Sequence, residues 1–142
     1  MHRVTRAALA AAAVAALALG GALPAQAAPA IPLNNGQETT GAEGGAHGFF
    51  TYSIDGDQLC YTMEVDGLTA PALFAHIHIG PRETAGPVVI GLDVGEGTSF
   101  EVSDCVTAAP AVLAAIEANP KAYYVNVHTP TYPGGEVRGQ LK

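Results

Sequence analysis

The sequence predicts an all-β sandwich with one short helix near residues 108–118. Three observations lead there. Apolar residues recur at every second position through a series of short segments, as they do in strands with one buried face. Glycine, proline, asparagine and aspartate fall between those segments, where hairpin turns need them. Only one stretch carries apolar residues at three- and four-residue spacing, so helix is a minor component.

The first 27 residues stand apart from this pattern. Arg3 and Arg6 form a short basic head, Ala7 to Leu23 is entirely small or apolar, and Ala25-Gln26-Ala27 follows. These are the parts of an export signal cut before Ala28, with an apolar run too rich in alanine and glycine to be expected to span a bilayer. The expected mature protein is therefore secreted, with no stable membrane anchor. The 142 residues less these 27 leave 115, enough for one domain with a modest core. Loss of Arg3 and Arg6 leaves four basic residues against 13 acidic ones, a formal charge of −9. Such a surface repels phosphate backbones, which excludes nucleic acid as a partner.

Residues 28–47 are rich in proline, glycine, asparagine and threonine and read as a flexible or edge N-terminal arm, in which only Ile31 to Leu33 can pair as a strand. In "GFFTYSID", Phe50, Tyr52 and Ile54 share one face; in "QLCYTMEV", so do Leu59, Tyr61, Met63 and Val65. Asp55-Gly56-Asp57 between them tolerates the left-handed backbone of a tight hairpin. "LFAHIHI" sets Leu73, Ala75, Ile77 and Ile79 against Phe74, His76 and His78. "PVVIGLDV" is a fourth strand and "TSFEV" a weaker fifth. The helix is "TAAPAVLAAIEANP", with Val112, Leu113 and Ile116 on one side and Asn119-Pro120 ending it. "YYVNVH" then places Tyr123, Val125 and Val127 opposite Tyr124, Asn126 and His128. "YPGGEVRGQL" turns through Pro133-Gly134-Gly135 and sets Val137 and Leu141 opposite Glu136, Arg138 and Gln140.

This alternation buries Ile77, Val125 and Val127 and sends His76, His78 and His128 to the outer, surface side. Two histidines at i and i+2 lie about 6 to 7 Å apart on one strand face. A third imidazole from another strand completes a set that suits one copper or zinc ion. Glu136, Arg138 and Asn126 are candidates to support those ligands or to guide an anion; the plainer expectation for Glu136 and Arg138 is a surface ion pair of little consequence. Cys60 and Cys105 are expected to form a disulfide, since the destination is oxidising and no Cys-x-x-Cys spacing suggests thiolate ligands. Closing that 45-residue separation is worth about 3 to 4 kcal/mol on the chain-entropy argument. Ser53, Ser99 and Ser103 lie in no nucleophile elbow, and Asp55 and Asp57 are explained by their turn. No catalytic residue is assigned.

The stretches "GFFTYSIDGDQLCYTMEVDGL", "AHIHIGPRETAGPVVIGL" and "YYVNVHTPTYPGGEVRGQL" resemble the CHRD (chordin-type) domain over about residues 33–142. The resemblance implies an exported bacterial single-domain form: an extracellular, β-rich module. A looser similarity links His76, His78, His128 and Arg138, in that order, to the copper-zinc superoxide dismutases, whose fold, like the immunoglobulin fold, is a Greek-key sandwich. Those enzymes carry further metal ligands on a long loop after the His-x-His strand, and residues 80–120 here contain no histidine. A second metal is not expected. The functional expectations are a binding module for copper or zinc, a copper-dependent redox enzyme with Arg138 steering a small anion, or a metal-free module that binds an extracellular protein.

Overall fold

The computed structural model describes residues 29–142, so the expected export signal at 1–27 lies outside the described residues. Eight strands follow one another through the described residues: β1 Ile31–Asn34, β2 His47–Asp55, β3 Gln58–Asp66, β4 Phe74–Ile79, β5 Val88–Leu92, β6 Phe100–Thr107, β7 Tyr123–His128 and β8 Val137–Gln140. The one α-helix among the described residues, α1 Pro110–Ala118, lies between β6 and β7. Its position matches the expected helix, with Leu113 and Ile116 buried.

All strand pairings are antiparallel, and the strands form one sheet in the order β5-β4-β7-β8-β1-β2-β3-β6. The all-β class with one short helix is as expected. In place of the two separate sheets of the expected sandwich there is one continuous sheet, whose two halves are joined through β1, which pairs along its length with β2 but meets β8 only at Asn34 opposite Arg138. The sheet closes round one core to which both halves contribute: Phe50, Leu59, Met63 and Val65 from one, Ile77, Ile90, Val125, Val127 and Val137 from the other. Burial of this apolar surface is the main term that holds the halves together.

Two elements differ from the sequence reading. The segment 28–47, expected as an arm or edge, supplies an interior strand: Ile31 and Leu33 point into the core, and β1 has a neighbour on each side. Its two apolar side chains are too few for periodicity to register, yet they fill the seam between the halves. The weak strand "TSFEV" is the start of β6, which pairs with β3 from Gln58 opposite Thr107 to Val65 opposite Phe100. Backbone pairing with β3 defines that strand more than its own apolar pattern does. Cys60 and Cys105 face each other across β3 and β6 and are disulfide-bonded, tying the outermost strand to the sheet.

Candidate metal centre

Strands β4 and β7 are neighbours, with Phe74 opposite His128, His76 opposite Asn126 and His78 opposite Tyr124. Because alternate residues share a face, all six side chains lie on the side of the sheet away from the apolar core. His128 is thus diagonal to His76, and a potential ligand nitrogen from each of His76, His78 and His128 lies within 4.8 Å of the others. The shortest approach is His76 Nδ1 to His128 Nε2, at 3.1 Å.

Hydrogen bonds fix the form of two of these rings. His78 Nδ1 is 2.8 Å from the Gly86 carbonyl, and His128 Nδ1 is 2.9 Å from the Pro133 carbonyl. A carbonyl only accepts, so each Nδ1 carries its proton and each neutral ring keeps its lone pair on Nε2. His78 Nε2 is buried and has no hydrogen-bond partner. Burial pushes the His128 pKa down to about 4; the bond to Pro133 opposes this, and neighbouring His76 and His78 reinforce it. Burial, then His78, lowers that of His76. Metal coordination requires neutral imidazole, and these environments favour it.

The histidines are not surface residues as expected. His78 is 7% and His128 5% exposed, and only His76 is half-buried. The outer face is roofed by two loops. The loop 80–87 is held to the sheet by the His78 bond to Gly86, by the Gly86 N–H donating to Tyr124 Oη at 3.1 Å, and by Arg138 donating to the Thr84 and Pro81 carbonyls at 3.0 and 2.8 Å. A Cβ on Gly86 would run into the Ile79 carbonyl, so glycine is what lets this loop close. The loop 129–136 supplies the Pro133 carbonyl and is secured at its end by Glu136.

Glu136 and Arg138 do not form the expected surface ion pair. Both are buried, at 0% and 1% exposure, and each is committed elsewhere. The Glu136 carboxylate accepts from Thr69 N–H, Thr69 Oγ1 and Thr129 Oγ1 at 2.7, 2.9 and 2.6 Å. The Arg138 guanidinium lies 3.3 Å from the centre of the Tyr124 ring, where it gains a cation–π contact. So placed, Arg138 does not stand open to guide an anion. Neither side chain hydrogen-bonds to a histidine; each holds a loop whose carbonyl orients one of them. Asn126 donates to the Gly134 carbonyl at 3.4 Å, and its Oδ1 is buried without a partner.

The aromatic walls and the backbone carbonyls were missed in the sequence. Phe74 lies 5.2 Å from the His76 ring and 5.1 Å from that of His128, and Tyr124 stacks on His78 at 4.7 Å. Phe74 and Tyr124 alternate with core residues as the histidines do; Tyr124, an aromatic on a nominally solvent face, was the available signal that this face is covered, and it is buried, whereas Phe74 at the rim of the cluster is 42% exposed. Glu38 was also missed: its carboxyl is shifted upward by burial, beside Asn126. Of the other histidines, His47 is exposed and bonded to the Gly45 carbonyl, away from the cluster.

The arrangement presents three nitrogen donors from two rigid strands, two of them oriented by backbone carbonyls. That is a set able to hold one transition-metal ion. The chain matches the CHRD domain family over residues 29–141. No curated protein and no solved structure matches it.

Proposed function

The chain belongs to the CHRD domain family, and we propose that it is a binding module, acting outside the cytoplasm, that holds one copper or zinc ion through His76, His78 and His128. The observation that carries this reading is the convergence of the three ligand nitrogens within 4.8 Å, with His78 and His128 turned by carbonyls so that each neutral ring keeps its lone pair on Nε2, that of His128 facing His76 Nδ1. Supporting side chains are Glu136 and Arg138, which hold the orienting loops, and Asn126, beside His76 in the register. Copper(II) binds more tightly than zinc to such nitrogen donors under the usual order of divalent affinities. The Cys60–Cys105 disulfide and the signal-like N-terminus support an oxidising destination. No described helix is long and apolar enough to cross a membrane.

The test is titration of the chelator-stripped, exported protein with copper(II) and with zinc, followed by elemental analysis and, for copper, electron paramagnetic resonance. One equivalent with nitrogen hyperfine structure, lost in His76→Ala/His78→Ala, is the expected result. Absence of stoichiometric binding, or binding unchanged in that variant, refutes the site and leaves the metal-free interaction module as the reading. Redox turnover by the copper-loaded protein would extend the reading to catalysis.

A further inference from the structure

The cations of this acidic chain are distributed unevenly. Four of its lysines and arginines lie in the described region, against all 13 acidic residues. Arg138 is one of the four and is buried against Tyr124. The other three, Arg82, Lys121 and Lys142, are exposed, and all three line one cavity of about 420 Å³. Pro32, Gln37, Gln140 and Leu141 complete its lining, and no aspartate or glutamate side chain is among them. In a chain with more than three acidic side chains for each basic one, this concentrates every exposed Lys and Arg of the described residues on a single concave surface.

The cavity is held in shape from beneath. Gln140 Nε2 donates to the Gly80 and Lys121 carbonyls, each at 2.8 Å, joining the loop that carries Arg82 to the short turn that carries Lys121. Arg138 pins the same loop through Pro81 and Thr84. Gln37 is tied to the Pro32 carbonyl at 3.1 Å, and Lys142 Nζ to that of Ala30 at 3.2 Å. The Lys142 main-chain oxygen is engaged by the Tyr52 hydroxyl at 3.3 Å, on the β2 side. The cations therefore project from three segments that are bonded to one another, around a floor made partly of buried Leu141.

We propose that this cavity binds a small multivalent oxyanion, a molecule bearing two or more carboxylate or phosphate groups. Three charged donors from separate segments match several oxyanions on one ligand better than a single monovalent ion, because charge-assisted hydrogen bonds form only where donors and acceptors coincide. The volume lies within the range of small-molecule sites. The net negative charge elsewhere disfavours non-specific adsorption of polyanions and leaves this the attractive region. The proposal is independent of the metal reading, since none of the three histidines lines the cavity.

The test uses the exported protein, stripped of metal by dialysis against chelator and freed of the chelator, with citrate and pyrophosphate as probes at matched ionic strength and acetate as the monovalent control. Calorimetry is expected to show saturable binding of citrate or pyrophosphate and none of acetate. Binding of citrate alone identifies a carboxylate ligand, and of pyrophosphate alone a phosphate one. The double variant Arg82→Gln/Lys121→Gln, both positions exposed, is expected to weaken it by at least about tenfold with an unchanged circular dichroism spectrum. Amide shifts in nuclear magnetic resonance should centre on Lys121, Gln140 and Leu141. Absence of saturable binding, equal binding by the variant, shifts scattered over the surface, or retention of a long sulfated polymer but of neither small probe would each overturn the proposal.

Discussion

Replacing Glu136 by glutamine removes one charge and almost no volume at a fully buried position, and the structure says why this small change is costly. Thr129 Oγ1 accepts from the Tyr132 N–H at 3.1 Å and donates to Glu136 at 2.6 Å, so its hydroxyl is polarised toward the carboxylate. Thr69 donates twice to the same group, from N–H at 2.7 Å and Oγ1 at 2.9 Å. A carboxylate accepts all three, whereas an amide offers one oxygen and an NH2 that confronts a donor. Hydrogen bonds to a charged acceptor are worth about 1.5 to 3 kcal/mol against about 1 for neutral ones. Loss of that difference at three bonds, with one donor left facing another, gives about 3 kcal/mol for Glu136→Gln. Glu136→Ala should cost more, because it leaves all three donors unpaired beside a cavity. Urea denaturation of both variants, with the slope unchanged and the midpoint lowered, is the measurement. A Glu136→Gln loss below about 0.5 kcal/mol would show that the carboxylate is not the latch between the Thr69 segment and the 129–136 loop.

Three further outcomes are expected. The His128 pKa is depressed to about 4, so between about pH 6.5 and 4 the unfolded chain binds the proton that the folded one refuses, and the metal-free protein should lose stability as pH falls through that window; the loss should shrink in His128→Asn, whose amide can still donate to Pro133, and an equal loss in both would refute the assignment. Gly86→Ala forces the 80–87 loop off the Ile79 carbonyl and displaces the acceptor of His78, and calorimetry should show copper affinity about 10- to 100-fold lower, while unchanged affinity would mean that the carbonyl does not orient the ligand. Cys60→Ser should lower stability by about 2 to 5 kcal/mol in thermal or urea unfolding, and two free thiols in the exported wild-type protein would remove its basis.

The period-two alternation placed the middle of the core but not its limits: Leu73 and Ile79, expected on one face with Ala75 and Ile77, flank or end β4, where the covering elements stop, and are 52% and 41% exposed. Leu59, Met63, Ile77, Val125 and Val127 are buried because a strand's side chains alternate strictly, so local pattern decides which face each one takes. The helix at 110–118 and the Cys60–Cys105 pair were legible for similar reasons: one is a local periodicity, the other a choice with a single partner. The histidine triplet was half legible. His76 and His78 share a face by spacing alone, but His128 is 50 residues further on, and only the pairing of β4 with β7 puts it beside them.

What alternation could not tell is whether the second face meets water. Polar residues at Asn126, His128, Glu136 and Arg138 suggested solvent, yet all four are buried, since the loops 80–87 and 129–136 fold back over β4, β7 and β8. Those loops have no periodicity of their own; they are held by hydrogen bonds to residues distant in sequence, such as Arg138 to Thr84 and Thr69 to Glu136. The same holds for β1, whose two apolar side chains acquire their importance from lying between β2 and β8. Which face each central strand residue takes, and which cysteines pair, could be read from the chain alone, because both follow from nearest-neighbour geometry and compartment chemistry. Which polar face is roofed, and which side chains converge there, emerges with the packing of distant segments, because burial of a polar group depends on partners that come from elsewhere in the chain.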